Sequence, residues 1–128
     1  MSEELGPLSV SILREGPYLI ASIHTALDDS EVRRFQDDLI RRIGTDRARG
    51  VIIDVAALDV VDSFVTRTLR GIADMVRLRG ALTVIVGFAP EVALAMVELG
   101  LGPVDVPTAR DLEDGLAYLN DHLQLRTR

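Results

Sequence analysis

The sequence predicts an α/β protein built on a mostly parallel β-sheet. Apolar runs typical of strands alternate with amphipathic segments of helical period, in the order β-β-α-β-α-β-α-β-α. A short turn joins the first two strands, whereas each later strand follows a helix, which implies right-handed parallel crossovers. With 128 residues the chain fits a single domain, 1–128, and its ordered core is expected at about residues 8–123.

The first two strands lie close together in the sequence. Residues 8–13 alternate apolar and polar side chains, which is typical of a strand with one buried face. The segment 14–17 contains Gly16 and Pro17 and is predicted to be a turn. Residues 18–23 form the second strand, and the short connection favours an antiparallel hairpin.

A helix with a clear start signal follows the hairpin. Asp28 precedes it and Glu31 stands three residues later, which is the pattern of a capping box. Gly44 is expected to end this helix, because glycine suits the conformation of a C-terminal cap. Its buried face is marked by Val32, Phe35, Leu39 and Ile43. Residues 51–55 are nearly all apolar, as expected of a central strand buried on both faces.

The second half of the chain continues the alternation of helix and strand. A second helix follows Ser63, with Val65, Leu69, Ile72 and Val76 on its apolar face and Arg67, Arg70, Asp74 and Arg77 facing outward. Gly80 is expected to end this helix, and a strand at 81–86 follows. A third helix is predicted from Pro90 to Gly100, and a short strand near 104–106. The segment 108–111 is predicted to cap a fourth helix, whose inward side chains are Leu112, Leu116, Leu119 and Leu123.

Composition excludes several classes of protein. The net charge of -6 and the pI of about 4.8 disfavour a protein that neutralises nucleic-acid phosphates. There is no cysteine, and all 14 basic residues are arginine, so thiol and lysine chemistry are excluded. No apolar run approaches the roughly 18 residues of a membrane span, and the acidic N-terminus is not a secretory signal. We therefore expect a cytoplasmic protein that binds neither nucleic acid nor membrane.

The polar residues do not form a recognisable active site. His24 and His122 are expected at the surface, because neither has a nucleophile beside it in the sequence. Ser63 lacks the G-x-S-x-G turn of hydrolases, and no glycine-rich phosphate loop is present. Asp54 ends a buried strand and is interpreted as a structural acid that accepts backbone N–H groups from the next loop. We predict no enzymatic activity, no metal site and no cofactor.

Ser63 has two interpretations. It is a helix N-cap whose hydroxyl accepts a hydrogen bond from the first turn, or it is the acceptor of a reversible phosphate. Asp62 can serve as the cap in its place, which leaves the hydroxyl of Ser63 spare. Phosphorylation would add a charge of roughly -2 beside Asp59 and Asp62, and would change what docks there without refolding the helix. Thr66 and Thr68 are weaker candidates, because hydroxyls inside a helix usually bond back to the preceding turn.

Two segments resemble the STAS domain, the sulfate-transporter and anti-sigma-factor-antagonist family. They are DVAALDVVDSFVTRTL at residues 54–69 and LTVIVGFAPEVALAMVELGL at residues 82–101. Within the family, V-D-S-F at residues 61–64 looks like the RsbS-type scaffold of the bacterial stressosome. Free-standing antagonists of the SpoIIAA and RsbV type usually carry D-S-S-G or D-S-A-G, where this chain has Phe64 and Val65. The family fold implies helices packed largely on one side of a mixed sheet.

The resemblance implies a non-catalytic scaffold in a general-stress sigma factor pathway. Such a protein forms homodimers and large assemblies with RsbR-type STAS paralogues and sequesters an RsbT-type serine kinase. Phosphorylation of the matching Ser63 releases the kinase, and an RsbX-type phosphatase reverses the mark. Partner-binding residues are predicted around that serine, at Asp59, Asp62, Phe64 and Arg67. The alternatives are a free antagonist that binds an anti-sigma kinase, and a small-ligand-binding or enzymatic domain with a concave polar pocket.

Overall fold

The protein contains a five-stranded mixed sheet with helices on both faces. The computed structural model describes residues 9–58, 63–89, 91, 94 and 106–123. Its strands are β1 (Val10–Glu15), β2 (Tyr18–Ile23), β3 (Gly50–Asp54), β4 (Leu82–Val86) and β5 (Thr108–Ala109). Its helices are α1 (Asp29–Asp46), α2 (Ser63–Leu78) and α3 (Leu112–Leu123). The predicted third helix lies outside the described residues, except for Glu91 and Leu94, which are helical. The predicted fourth helix is therefore α3.

The strands lie in sequence order across the sheet, which confirms the mostly parallel topology. β1 pairs antiparallel with β2, and each later pair is parallel. Strand β1 ends at Glu15, two residues beyond its predicted end, because the turn needs only Gly16 and Pro17. Gly16 has a φ of 58°, a conformation that glycine adopts without a steric penalty.

Alternate side chains of β2, β3 and β4 enter two separate cores. One core lies under α1 and α2, and Leu19, Val51 and Ile53 are fully buried in it or nearly so. The other lies under α3 and includes Ile52, Val84 and Val86. The central strand is thus buried on both faces, as its continuous apolar sequence predicted.

Helix α3 packs on the face of the sheet opposite to α1 and α2. The expectation of helices largely on one side is therefore wrong for the helices that the structure describes. Gly115 explains how closely α3 approaches, because a Cβ there would lie 2.9 Å from Cγ1 of Val86. Leu119, one turn later, packs against Gly50 and Tyr18 at the other end of the strands. Without α3, the apolar side chains of this second core would face water.

Helix α1 begins as predicted and ends later. The capping box is present, because the Glu31 N–H donates to Asp28 Oδ1 at 2.8 Å and the Asp28 N–H donates to Glu31 Oε1 at 3.0 Å. The predicted stop at Gly44 is wrong. The helix continues to Asp46, whose carboxylate pairs with Arg42 at 3.1 Å, and the C-cap is Arg47 in a left-handed conformation with a φ of 53°.

The cap at Asp28 makes the stability of α1 depend on pH. Hydrogen bonds from the Glu31 N–H and the Ser30 hydroxyl hold the pKa of Asp28 below its usual range. Because the folded pKa is depressed, this stabilisation is present above the unfolded pKa near 3.8 and is lost as the pH falls through the folded value. We expect Asp28→Asn, which keeps a capping oxygen, to retain the helix at neutral pH and to lose this part of the acid dependence.

Thermal melting of wild type and Asp28→Asn from neutral pH down to strongly acidic pH tests that expectation. The control is Asp29→Asn, since Asp29 lies beside the cap in the first turn of the helix but is not the cap. An Asp28→Asn curve that runs parallel to wild type at every pH would contradict the assignment.

The C-terminal elements are displaced from their predicted positions. Of the predicted strand at 104–106, positions 104 and 105 lie outside the described residues, and Val106 is buried but precedes the strand. The strand is β5, two residues later, because pairing with Ile85 and Val86 fixes its register. From the predicted cap, 108–111, Asp111 alone caps α3, and its Oδ1 accepts the Asp114 N–H at 2.9 Å. Leu112, predicted to face inward, is 38% exposed.

Candidate functional site

Ser63 stands where the sequence placed it, at the start of the second helix. It is the first residue of α2 and is half-buried, and its hydroxyl has no hydrogen-bond partner among the described residues. Asp59 and Asp62, two of the predicted partner-binding residues, lie outside the described part of the chain. At Ser63 the positive end of the helix dipole favours an anionic group.

The loop that leaves β3 towards Ser63 is held against the end of β4. The Ala56 N–H donates to Asp54 Oδ1 at 2.9 Å, and the Val55 N–H donates to the Val86 carbonyl at 3.0 Å. These bonds confirm that Asp54 is a structural acid at a strand end. Gly87 lies directly against this loop with a φ of 98°. A Cβ at this glycine would be 2.7 Å from the Ala56 nitrogen, so only glycine fits without a shift.

An apolar groove runs beside Ser63, between the start of α2 and the connection from β2 to α1. It has a volume of about 40 Å³ and is lined by Ile23, Ala26, Leu27, Val32, Leu58, Phe64, Val65, Thr68 and Leu69. Phe64 is 40% exposed, so its ring packs into the groove and also reaches the surface. Phe64, a predicted partner-binding residue, is therefore partly packed and partly accessible.

The other polar residues of α2 differ in their exposure. Arg67 is exposed, as the helical pattern predicted. Arg70 is half-buried with a buried Nε, so its predicted position on the solvated face is wrong. Thr66 is only 3% exposed and is inaccessible to a modifying enzyme, while Thr68 is half-buried in the groove. Of the three hydroxyl side chains at the start of this helix, Ser63 and Thr68 are half-buried and Thr66 is buried.

The two histidines are exposed, as predicted. The His24 ring lies 3.0 Å from the Ser11 hydroxyl, and His122 stacks on Tyr118 with 3.8 Å between ring centroids. Across the described ranges, no group of three or more histidine or acidic residues is arranged to hold a metal ion. Within the same ranges, no helix has the length and apolar character needed to cross a membrane.

Comparison with known proteins gives the family. The family model described as STAS domain matches residues 10–115. The chain is 36% identical to a serine-to-glutamate variant of RsbS from Moorella thermoacetica, with a TM-score of 0.75, covering 91% of this chain and 98% of that one. It is 32% identical to a chain in the structure entitled "Molecular architecture of the stressosome, a signal integration and transduction hub", with a TM-score of 0.71, covering 90% and 100% of the two chains.

A curated relative agrees with these structures. The chain is 30% identical over 90 residues to the RsbT co-antagonist protein RsbRA of Bacillus subtilis (strain 168). That alignment covers 70% of this chain and 33% of RsbRA, so the chain spans about a third of the length of this relative. The matched residues include every strand described here and the beginning of α3. The chain belongs to the STAS domain family.

Proposed function

We propose that this protein is a stressosome scaffold of the RsbS type that holds a serine kinase until Ser63 is phosphorylated. The observation that carries the proposal is the start of α2. There, a serine without a catalytic neighbour or a hydrogen-bond partner in the described structure stands at a helix N-terminus. The likeness to RsbS over nearly the whole of that chain supports the same role here. Likeness to RsbRA supports co-assembly with RsbR-type paralogues.

The geometry favours a phosphate that changes the surface more than the fold. At Ser63 the positive end of the helix dipole would stabilise the anion. Arg67 lies four residues later and is exposed, so its guanidinium shares a helix face with the phosphate and can pair with it. We propose that the kinase contacts Phe64 and Arg67 together with the neighbouring Asp59 and Asp62, and that the new charge expels it. An RsbX-type phosphatase would remove the phosphate again.

Phosphate mapping tests the assignment of Ser63. The purified chain is incubated with ATP and an RsbT-type kinase, and the modified residue is located by mass spectrometry. We expect phosphate on wild type and none on Ser63→Ala. The matched control is Ser30→Ala, because Ser30 is an exposed serine in the first turn of another helix. Equal phosphorylation of wild type and Ser63→Ala would contradict the assignment.

Kinase release is a separate expected result. We expect Ser63→Glu to weaken kinase binding at least tenfold relative to wild type, whereas Ser30→Glu leaves it unchanged. Titration of the kinase against each variant gives the dissociation constants. Undiminished binding by the phosphorylated protein would rule out the switch.

Mixing with an RsbR-type protein then distinguishes a scaffold from a free antagonist, because a scaffold enters a large complex and a free antagonist stays small.

A further inference from the structure

A larger cavity lies at the edge of the sheet, where β4 begins. The short β5 pairs with Ile85 and Val86, so within the described residues the start of β4 has a strand neighbour on the β3 side alone. The buried Ala73 and Ala81 leave space there, because their side chains are small. The cavity has a volume of about 270 Å³. We call it the edge cavity, and its walls are Ala73, Arg77, Ala81, Leu82, Thr83, Val106, Pro107 and Tyr118.

Backbone hydrogen bonds hold the walls of the edge cavity in place. The Gly80 N–H donates to the Arg77 carbonyl at 2.9 Å, which ties the last turn of α2 to the start of β4. On the other side, the Ile85 N–H donates to the Pro107 carbonyl at 3.0 Å. Both segments that flank the cavity are therefore anchored to the fold, and the cavity is a built part of it.

Thr83 brings a polar atom into the edge cavity. The residue is 5% exposed, and its hydroxyl oxygen has no hydrogen-bond partner in the described structure. Such a hydroxyl is destabilising, because burial has removed its hydrogen bonds to water and nothing replaces them. Valine has nearly the same shape, favours a strand and would avoid this cost. The hydroxyl of Thr83 therefore points to a ligand that forms a hydrogen bond with it.

Arg77 supplies the charge of the edge cavity. It is exposed, lines the cavity and forms no ion pair with a described residue. A guanidinium pairs well with a carboxylate, because its planar fork can donate two parallel hydrogen bonds. Arg77 lies in the last turn of α2, where the negative end of the helix dipole disfavours a multiply charged anion such as phosphate. The charge of the site thus suits a ligand with a single negative charge.

The other walls and the volume limit the rest of the ligand. Leu82, Val106 and Pro107 are apolar, and the half-buried Tyr118 adds an aromatic ring. The volume lies below the range of about 300–1,000 Å³ that is typical of pockets for drug-sized ligands. It corresponds to roughly nine water molecules at about 30 Å³ each. A nucleotide is therefore too large and too highly charged, whereas a small apolar body fits.

We propose that the edge cavity binds a small organic carboxylate with an apolar body. Arg77 pairs with the carboxylate, the Thr83 hydroxyl donates a hydrogen bond to one of its oxygens, and the apolar walls contact the hydrocarbon part. This site is separate from the proposed phosphorylation switch, because Arg77 lies 14 residues after Ser63, about 21 Å along α2. The inference goes beyond the scaffold role and does not depend on it.

Calorimetric titration tests the site with cyclohexanecarboxylate, hexanoate and benzoate as probes. We expect wild type to bind at least one of them with a dissociation constant on the order of 0.1–1 mM. Arg77→Gln and Thr83→Val are each expected to weaken that binding at least tenfold. The matched controls are Arg79→Gln, an exposed arginine outside the cavity, and Thr66→Val, an equally buried threonine outside it. Both controls are expected to bind as wild type does.

Thermal melting separates a ligand-binding hydroxyl from a structural one. Without ligand, Thr83→Val is expected to melt at a higher temperature than wild type, because the unpartnered hydroxyl is gone. With the carboxylate, the melting temperature of wild type is expected to rise and that of Thr83→Val to stay unchanged. Circular dichroism verifies that every variant is folded.

The competing ligands decide the chemistry of the site. Cyclohexanecarboxamide has the shape of the carboxylate without its charge, and inorganic phosphate has charge without an apolar body, so neither is expected to bind. The inference is overturned if wild type binds none of the three carboxylates at about 10 mM, or if the amide or phosphate binds as tightly as they do. Ser63→Glu is expected to bind the carboxylate as wild type does, so this site and the switch succeed or fail separately.

Discussion

Replacing Gly87 with alanine is expected to lower the free energy of unfolding by about 3–5 kcal/mol. Two costs combine at this position. The φ of 98° is one that side chains with a Cβ rarely adopt, and the new Cβ would lie 2.7 Å from the Ala56 nitrogen and 2.8 Å from Asp54 Oδ1. Asp54 ends β3 and Ala56 lies in the short loop that follows it, so this loop, the Asp54 side chain or the end of β4 must move.

Urea denaturation of Gly87→Ala measures this loss. Gly71→Ala is the matched control, because Gly71 lies inside α2 and a Cβ there would meet nothing within 4 Å. That substitution is expected to stabilise the protein by about 0.5–1 kcal/mol, since alanine favours a helix. Hydrogen exchange at the Ala56 amide should also accelerate in Gly87→Ala, as its bond to Asp54 is disturbed. Similar stability changes in the two variants would contradict the close packing of Gly87.

The second large effect is expected for Leu119→Ala, which should destabilise the protein by about 2–5 kcal/mol. Leu119 is 0% exposed and is the deepest side chain that α3 places in the second core. Its two Cδ atoms would lie 2.9 and 3.1 Å from a Cβ on Gly50, so the leucine fills the space that this glycine leaves. Truncation opens a cavity between α3 and the sheet, which the backbone of β3 cannot fill.

Leu78→Ala supplies the control for this prediction. Leu78 is 85% exposed at the end of α2, so its truncation is expected to change stability by less than about 0.5 kcal/mol. Chemical denaturation of both variants gives the comparison. Equal losses in the free energy of unfolding for the two variants would contradict the prediction that Leu119 holds α3 on the sheet.

The sequence predicted most of the architecture because hydrophobic periodicity carries the information that the sheet needs. The helix at Asp28 and the continuous apolar strand before Asp54 were read correctly from capping and burial patterns. The position of α3 on the opposite face was also implied by that strand. A strand buried on both faces requires cover on both, and the expectation of one-sided packing did not use this requirement.

The boundaries that failed depend on partners distant in the sequence. Strand β5 is two residues long, and its position follows from pairing with Ile85 and Val86, not from its own pattern. The end of α1 depends on how Arg47 tolerates a left-handed backbone and on the pair between Arg42 and Asp46. A glycine inside the helix, at position 44, was the stronger local signal and was misleading.

The start of the candidate site was predictable, but its surroundings were not. Ser63 at the beginning of α2 follows from the order of strand, loop and amphipathic helix. The rotation of that helix about its axis determines that Thr66 is buried and Arg70 half-buried. Because successive residues are about 100° apart around a helix, a small difference in this rotation changes which side chains face the sheet. The fit of Gly87 against Ala56 joins segments 31 positions apart and leaves only a weak sign in the sequence, a glycine directly after a buried strand.

The placement of the two tyrosines gives the protein a built-in optical reporter. The chain has two tyrosines and no tryptophan, and both tyrosines belong to the contact between α3 and the sheet. The buried Tyr18 hydroxyl donates to Asn120 Oδ1, and burial raises the pKa of Tyr18, while Tyr118 lies on α3 itself. Intrinsic fluorescence therefore follows the docking of the last helix and is silent about the start of α2. Spectroscopic unfolding curves of this protein report on the face of the sheet that Ser63 does not share.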